Sequence, residues 1–380
     1  MSITFDDYID HLESTDVFIQ KVKIELLRQD ESVESEIVTE LSNGSGSLSV
    51  QRQNGLRRSL NFEIINIDNE YLPDINKLWW RSKFKLWLGV DINGEDYYLP
   101  QGVFYMENPS VNSNFSNRNI QIKAVDKFSV LDGTLGGELD TNYTIAVGTN
   151  IYDAIQDILD IVGDTKKPVL DSYYSSQTTP YTIEKEIGGN IGDIIIELAG
   201  MVSANVYYDV EGRLNFLRDI DDAYKSSQWN YTTETFIYLG ATREYKFNEL
   251  YNAVMVVGDN VNGEIYDYTA TDENLLSKTS VPNVGFKRTK IIQDQNIYSN
   301  ALAEERANYE LKRVIALQSA ISITSIPIYH LDTDEVITLT DYYLGLSEDR
   351  FLINGFTINL KTGSQMTLDI VNVVELPYST

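Results

Sequence analysis

The sequence predicts a mainly β protein in which two antiparallel β regions of barrel or sandwich type flank a small α/β insertion. Three observations carry this. Residues 78–127 read as a run of strands with a hairpin turn at Asn93-Gly94, two residues that accept positive φ in a primed turn matched to strand twist. The period then changes to helical in Ile151, Ala154, Ile155, Ile158, Leu159 and Val162. Strand alternation returns from Tyr245 onward and, after one long helix, continues through a closing meander.

Taken in order, residues 1–15 form an amino-terminal arm, with Phe5, Tyr8, Ile9 and Leu12 on one helical face behind a Thr4 cap. A helix that short is marginal alone and must dock. The first β region covers 16–142. Asp16 to Leu27 reads as a strand, the acidic loop that follows ends in a flexible SNGSGS, and Ser47–Arg52 and Leu60–Ile65 add two strands. In Lys83–Leu88 the residues Phe84, Leu86 and Leu88 share the apolar face, so Trp87 lies on the polar face and requires a cover. The insertion, 143–236, holds a helix capped by Asn150 and stopped by Gly163, a second helix over 191–202, and a hairpin at Glu211-Gly212 that sets Val206 and Tyr208 against Leu214 and Phe216. The second β region, 237–380, has a turn at Asn262-Gly263 and a helix at 297–314, inside a pattern running from Asn296 to Leu317, whose stripe is Ala303, Ala307, Leu311 and Val314. No fixed-period repeat is apparent.

Composition narrows the function. A chain of 380 residues suits more than one core. Absence of cysteine excludes disulfides and thiolate metal sites, and only His11 and His330 offer imidazoles. The formal net charge of −27 opposes binding to nucleic acid or anionic lipid. MSITFDDYIDHLEST lacks the features of a signal peptide and no stretch is long enough to span a membrane, so synthesis in a host cytoplasm without membrane insertion is expected. The 25 tyrosines suit half-buried strands and protein-facing surfaces alike.

Searched for chemistry, the chain offers little. Gly188-Gly189-Asn190-Ile191-Gly192 precedes a helix, but no lysine is placed to neutralise phosphate, and a tight turn is the better reading. No G-x-S-x-G occurs. His330 lies near Asp332 and Asp334, yet alternation in an extended segment sends neighbours to opposite faces. Asp219, Asp221 and Asp222 read as solvated charge. No catalytic residue, cofactor or metal site is expected. Trp79, Trp80 and Trp87 with Phe84 could form a carbohydrate platform, although core packing or burial under a neighbouring subunit is the stronger reading. Lys77, Arg81, Lys83 and Lys85 make the same stretch the one basic strip of an acidic chain, which marks Trp79, Trp80, Arg81, Lys83, Lys85 and Trp87 as the candidate subunit or partner interface.

In their order, KLWWRSKFKLWLGV…LPQGVFYMENP, IQIKAVDKFSVLDG before NIYDAIQDIL, ELAGMVSANVYYDVEGRLNF, and the Ala301–Val314 helix followed by IPIYHLDTDEVITLTD and DRFLINGFTINLKTGSQMTLDIV resemble the hub protein of phage tail tips and baseplates. That family includes the hubs of contractile tails and the amino-terminal part of tail-associated lysins. The resemblance covers nearly the whole chain and rests on pattern and order. It implies two tube-like β-barrel domains around the inserted α/β part, assembled as a homotrimer whose ring is pseudo-six-fold. Such a ring joins the tail tube or distal tail protein to a spike or fibre, while tape-measure protein and then DNA pass the lumen without specific binding. Since Pro377–Thr380 follow directly on the last strand, a hub without an enzyme is expected, located at the virion tail tip. The competing readings are a carbohydrate- or receptor-binding module of a tail, and a glycosidase built on two facing carboxylates.

Overall fold

The computed structural model describes residues 3–14, 18–37, 41–66, 69–74, 77–114, 118–202, 204–218, 222–245, 247, 250–261, 264–294, 297, 299–316 and 319–373. Asp16, Asp219, Asp221, the Asn262-Gly263 turn, Asn296, Leu317 and Pro377–Thr380, all invoked above, lie outside these residues.

Helix α1 (Phe5–Ser14) opens the chain, followed by β1 (Gln20–Leu27), β2 (Val33–Ile37), β3 (Leu41–Gln51), β4 (Arg58–Ile65), β5 (Lys83–Ile92), β6 (Glu95–Ser113) and β7 (Arg118–Asp126). Next come β8 (Tyr143–Ile145), α2 (Ile151–Val162), β9 (Val169–Leu170), β10 (Ile183–Lys185), α3 (Ile191–Met201), β11 (Ala204–Tyr208) and β12 (Leu214–Arg218). The remainder is β13 (Ser227–Thr232), β14 (Tyr238–Tyr245), β15 (Ala253–Val261), β16 (Glu264–Thr271), α4 (Val281–Val284), β17 (Thr289–Gln293), α5 (Asn300–Ala316), β18 (Ser319–Ser325), β19 (Val336–Asp341), β20 (Leu346–Asn359) and β21 (Met366–Asn372).

The protein is mainly β, with antiparallel pairing dominant, as the alternation predicts. Among the described residues thirteen strands share one sheet, in the order β14-β18-β21-β20-β3-β4-β7-β6-β5-β1-β2, with β13 and β19 attached through β20. The sheet does not close into a barrel. It crosses from one β region to the other at a seam where β20 runs antiparallel to β3, pairing Phe356 with Val50 and Ile358 with Leu48. Each of these four is at most 1% exposed. One apolar core accordingly extends from Tyr8 and Leu12 of α1 to Leu368 and Ile370 of β21.

SNGSGS, expected as a flexible loop, instead has its backbone within β3, with a register shift between Leu41 and Gly46. Gly46 has φ +131° and lies so close to β4 that a Cβ there would meet the Asn61 carbonyl at 2.6 Å. The glycine allows the strand to continue.

Helix α1 docks as its periodicity requires. Thr4 and Asp7 cap its first turn reciprocally, Asp7 N–H donating to Thr4 Oγ1 at 3.2 Å and Thr4 N–H to Asp7 Oδ2 at 2.8 Å. The fully buried Tyr8 hydroxyl accepts from Tyr329 N–H at 2.9 Å.

A second core gathers α2, α3, and the β11–β12 hairpin with β9. Asn150 Oδ1 accepts from Tyr152 N–H at 2.8 Å and Gly163 ends α2 at φ +72°. The hairpin registers Val206 with Phe216 and Tyr208 with Leu214. Here the structure exposes a duplication that a fixed-period search does not find. Tyr143-Thr144-Ile145 leads through Gly148 (φ +82°) and Asn150 into α2, while Tyr181-Thr182-Ile183 leads through Gly188 (φ +83°) and Asn190 into α3, and the two short strands pair Ile145 with Ile183. The copies are spaced unequally, which hides them from a strict period. A third core lies where β15, β16 and β17 form their own sheet and α5 covers it with Ala303, Ala307, Leu311 and Val314.

Candidate functional site

The predicted basic strip divides in two. At its start Trp79–Ser82 form a turn: Ser82 N–H donates to Trp79 O at 2.9 Å, Trp79 N–H donates to Ser82 Oγ at 2.8 Å, and Arg81 takes φ +64°. Held on this turn, Trp79 is 52% exposed and Trp80 67%. Past it, β5 draws its charges inward. Lys83 is buried and donates to Gln29 O at 2.7 Å, with Glu31 at 3.7 Å, and burial pulls its ammonium below the ordinary lysine value despite that carboxylate. Lys85 pairs with Glu211 at 2.7 Å, and Arg81 sits over the Tyr105 ring at 5.6 Å.

Trp87 finds its cover within its own sheet. Lys23 of the neighbouring β1 and Lys85 of β5 lie over the ring at 5.0 and 4.3 Å, and the indole N–H donates to Glu25 at 2.7 Å. The six predicted residues therefore do not make one cationic surface. Trp79 and Trp80 face outward, while Lys83, Lys85 and Trp87 are committed to internal partners.

Glu31, beside Lys83, belongs to a buried charge cluster that fastens the insertion to the sheet. Lys127, 2% exposed, donates to Glu31 at 2.7 Å and to Asp164, just past α2, at 2.8 Å. Tyr208 of β11 donates its hydroxyl to Asp164 at 2.8 Å, and Lys166 reaches Glu31 at 2.8 Å. Burial alone would raise the Glu31 carboxyl, but Lys127 and Lys166 hold it below the usual range.

A second cluster fastens the two β regions beside their seam. Arg57 and Arg58, entering β4, offer their backbone N–H groups to the buried Asp126 at 2.7 and 2.8 Å, and Asp126 also accepts from Phe128 N–H at 2.9 Å. Their guanidinium groups reach across the molecule. Arg58 pairs with Asp332, Arg57 Nη1 donates to Asp334 at 2.6 Å, and Arg52 also pairs with Asp334. Tyr207 of the insertion lies under Arg57, 3.7 Å from ring centre to guanidinium carbon. Asp334 takes φ +68°. Although burial opposes its charge, Arg57 and Arg52 hold its carboxyl well below the ordinary range.

His330 is separate from these aspartates because the chain from 327 to 335 runs through turns; regular strand alternation would have set residues 330, 332 and 334 on one face. It packs among Phe5, Tyr8 and Trp229 at ring distances of 5.5, 5.9 and 5.9 Å, and burial lowers its pKa. Sequence reading saw Asp332 and Asp334 only as neighbours of a histidine. Their true partners lie some 275 residues earlier along the chain; the adjacent arginines at 57 and 58, at the start of a strand that carries only one other charged residue, Glu63, were the available signal.

Glu335 shares this setting. It accepts from Asp332 N–H at 2.8 Å, and burial pushes its pKa up to about 7. A raised carboxyl favours the folded state most below its unfolded pKa of 4.5, and that advantage is lost as pH rises through about 7. Glu335→Gln is therefore expected to flatten the stability profile between pH 4.5 and 7.5 by about 1–3 kcal/mol relative to the parent. Urea unfolding at half-unit pH steps checks this, and an unaltered slope would refute it.

The remaining sequence candidates are occupied. Gly192 N–H donates to Leu131 O at 2.7 Å and Ile191 N–H to Gly137 O at 2.8 Å, so these amides of the glycine-rich loop serve the backbone. Asp222 pairs with Lys225 at 2.8 Å. Among the described residues no group of three or more His, Asp or Glu is placed to hold a metal, and no helix is long and apolar enough to cross a membrane.

No protein-family model and no curated protein matches the chain. Solved structures do. The chain is similar to the 43 kDa tail protein of prophage MuSo2 from Shewanella oneidensis, with TM-score 0.65, 13% identity, and coverage of 93% of this chain and 98% of that one. The tail protein from Neisseria meningitidis MC58 gives TM-score 0.66 at 12% identity, covering 93% and 97%. An Escherichia coli component of the type VI secretion system, described as structurally similar to T4 bacteriophage tail proteins gp27 and gp5, gives 0.52 at 12% identity, covering 88% and 74%. The fold is thus that of phage tail and baseplate-hub-like proteins, with the chain matched over almost its full length.

Proposed function

We propose that the protein is a structural hub of a phage tail tip or baseplate, not an enzyme. The observation that carries this reading is the end-to-end match, over 93% of this chain and 98% of its neighbour, to a prophage tail protein. The hub works as a homotrimer whose two β regions per copy give a ring of near six-fold outline. Each copy offers the Trp79-Trp80 turn, with Arg81, as its subunit or partner contact, and the fastened β regions make each copy a stiff wall. The ring joins the tail tube or distal tail protein to a spike or fibre at the virion tail tip. Tape-measure protein and DNA pass through it, and the charge of −27 keeps DNA from adhering to the wall. We retain for this purpose the division 1–15, 16–142, 143–236 and 237–380.

Sedimentation of purified protein tests the assembly. A species of three times the 43.2 kDa chain, imaged as an open three-fold ring, is expected. A closed dimer, or a trimer without a channel, would contradict it. The two exposed tryptophans also suit a carbohydrate- or receptor-binding module; tight glycan binding by a monomer would favour that reading instead.

A further inference from the structure

The chain has two histidines, and both lie where helix α1 meets the rest of the molecule. His11 is on the helix itself. His330 lies beneath it, in T-shaped contact with Phe5 and Tyr8 of α1 at 5.5 and 5.9 Å and with Trp229 of β13 at 5.9 Å. The helix is tied down at the same place, since the Tyr8 hydroxyl accepts from the N–H of the preceding residue, Tyr329. His330 Nδ1 is sealed from solvent and has no hydrogen-bond partner. On a neutral ring that nitrogen is an acceptor left idle at modest cost; protonated, it becomes a buried N–H without an acceptor on a charged ring.

The groups around the ring do not offset such a charge. Tyr97 of β6 stacks on Tyr8 at 5.5 Å, extending a wall of uncharged aromatics. On α1, Asp6, Asp7 and Asp10 are exposed, and Asp7 is held by Thr4. Asp332, two residues beyond, turns to Arg58, and Glu335 accepts from Asp332 N–H. Burial holds the ring below the ordinary histidine value of 6.5 and outweighs a hydrogen bond to the Gln228 backbone that favours the charged form. His11 differs. Its Nε2 is likewise sealed without a hydrogen-bond partner, yet it is within electrostatic reach of the Asp91 carboxylate, which Lys21 at 3.4 Å and Gly94 N–H at 2.8 Å also engage. A charge on His11 is therefore answered, whereas one on His330 is not.

We propose that His330 is a pH-sensitive latch for α1: protonation of its ring releases the helix from the core of the main sheet while the rest of the fold stays closed. A terminal helix of ten residues is marginal without its docking contacts, so it is the element that a single buried charge can free. With the helix undocked the ring is open to water and titrates at its ordinary value. Docking is then complete above about pH 6.5 and weakens as pH falls below it. The latch stands on this packing and does not depend on the tail assignment.

Hydrogen exchange of the full chain at pH 7 and pH 5, corrected for intrinsic exchange rates, tests it. The amides of Ile9–Leu12 are expected to lose protection about 3–30-fold at pH 5, while those of Ile353 in β20 and Ile370 in β21 keep theirs. His330→Gln is expected to abolish the loss and His11→Gln to retain it. Should His330→Gln not fold, proton NMR of the parent's histidine rings reads the group directly, and His330 is expected to titrate below pH 6.5 together with the loosening of α1. Equal protection at the two pH values, a loss shared by β20 and β21, a loss that persists in His330→Gln or vanishes in His11→Gln, or a His330 ring that titrates at 6.5 or above overturns the proposal.

Discussion

Asp334→Asn is expected to lower the unfolding free energy by about 3–5 kcal/mol at pH 7, the usual cost of removing one partner from a buried ion pair. Asp334 accepts from Arg57 and Arg52, and Arg57 is almost wholly buried. Asparagine keeps the shape but leaves Arg57 with a charge that its surroundings no longer balance. The effect comes chiefly from that stranded cation, so Arg57→Met combined with Asp334→Asn should cost less than the sum of the single changes. Urea unfolding of the four proteins measures the coupling. Strictly additive losses, or a single-variant loss below about 1 kcal/mol, would show that the arginines find other acceptors and that the pair is not what fastens the β regions.

Changing Trp79 and Trp80 together to alanine is expected to weaken assembly at least a hundredfold while leaving the folded chain intact. Both rings stand on a surface turn, so their truncation opens no cavity, and fold stability should move by less than about 0.5 kcal/mol. At a contact, by comparison, anchoring tryptophans typically contribute about 2 kcal/mol or more each. Sedimentation over a concentration series reads the association constant, and thermal unfolding reads the fold. Unchanged association would remove this turn as an interface. Lys85→Ala serves as the contrast: it breaks a contact inside the chain and should touch stability before assembly.

Local elements were legible because local rules govern them. Asn93 and Gly94 take the positive φ values their hairpin needs, and Asn150, Gly163 and the alanine stripe of α5 act where their spacing places them. Trp87 shows where such reading stops. Alternation put it on the polar face correctly, but its cover comes from Lys23 on β1, across a pairing that joins Trp87 to Lys23 over 60 residues of sequence. The strip around it looked basic because Glu25, Glu31 and Glu211, which answer its charges, are distant in the sequence. The seam between β3 and β20 was illegible for the same reason, since nothing in SLSVQ or GFTIN specifies the other. The exposed tryptophans were found by residue type and the buried Arg57–Asp334 contact was not, because a charged residue's burial depends on a partner the local sequence does not name.

The pairing of Ser47–Gln51 with Gly355–Asn359 also sets a schedule for biosynthesis. At about 5–20 residues per second, a ribosome needs roughly 15–60 s to travel from one partner to the other. Throughout that interval the apolar flank of the early strand lacks its mate and is open to pairing with a neighbouring nascent chain. Maturation of this polypeptide is therefore gated by translation, and slowing elongation or withholding chaperones should divert it to aggregates before it changes anything in the finished molecule.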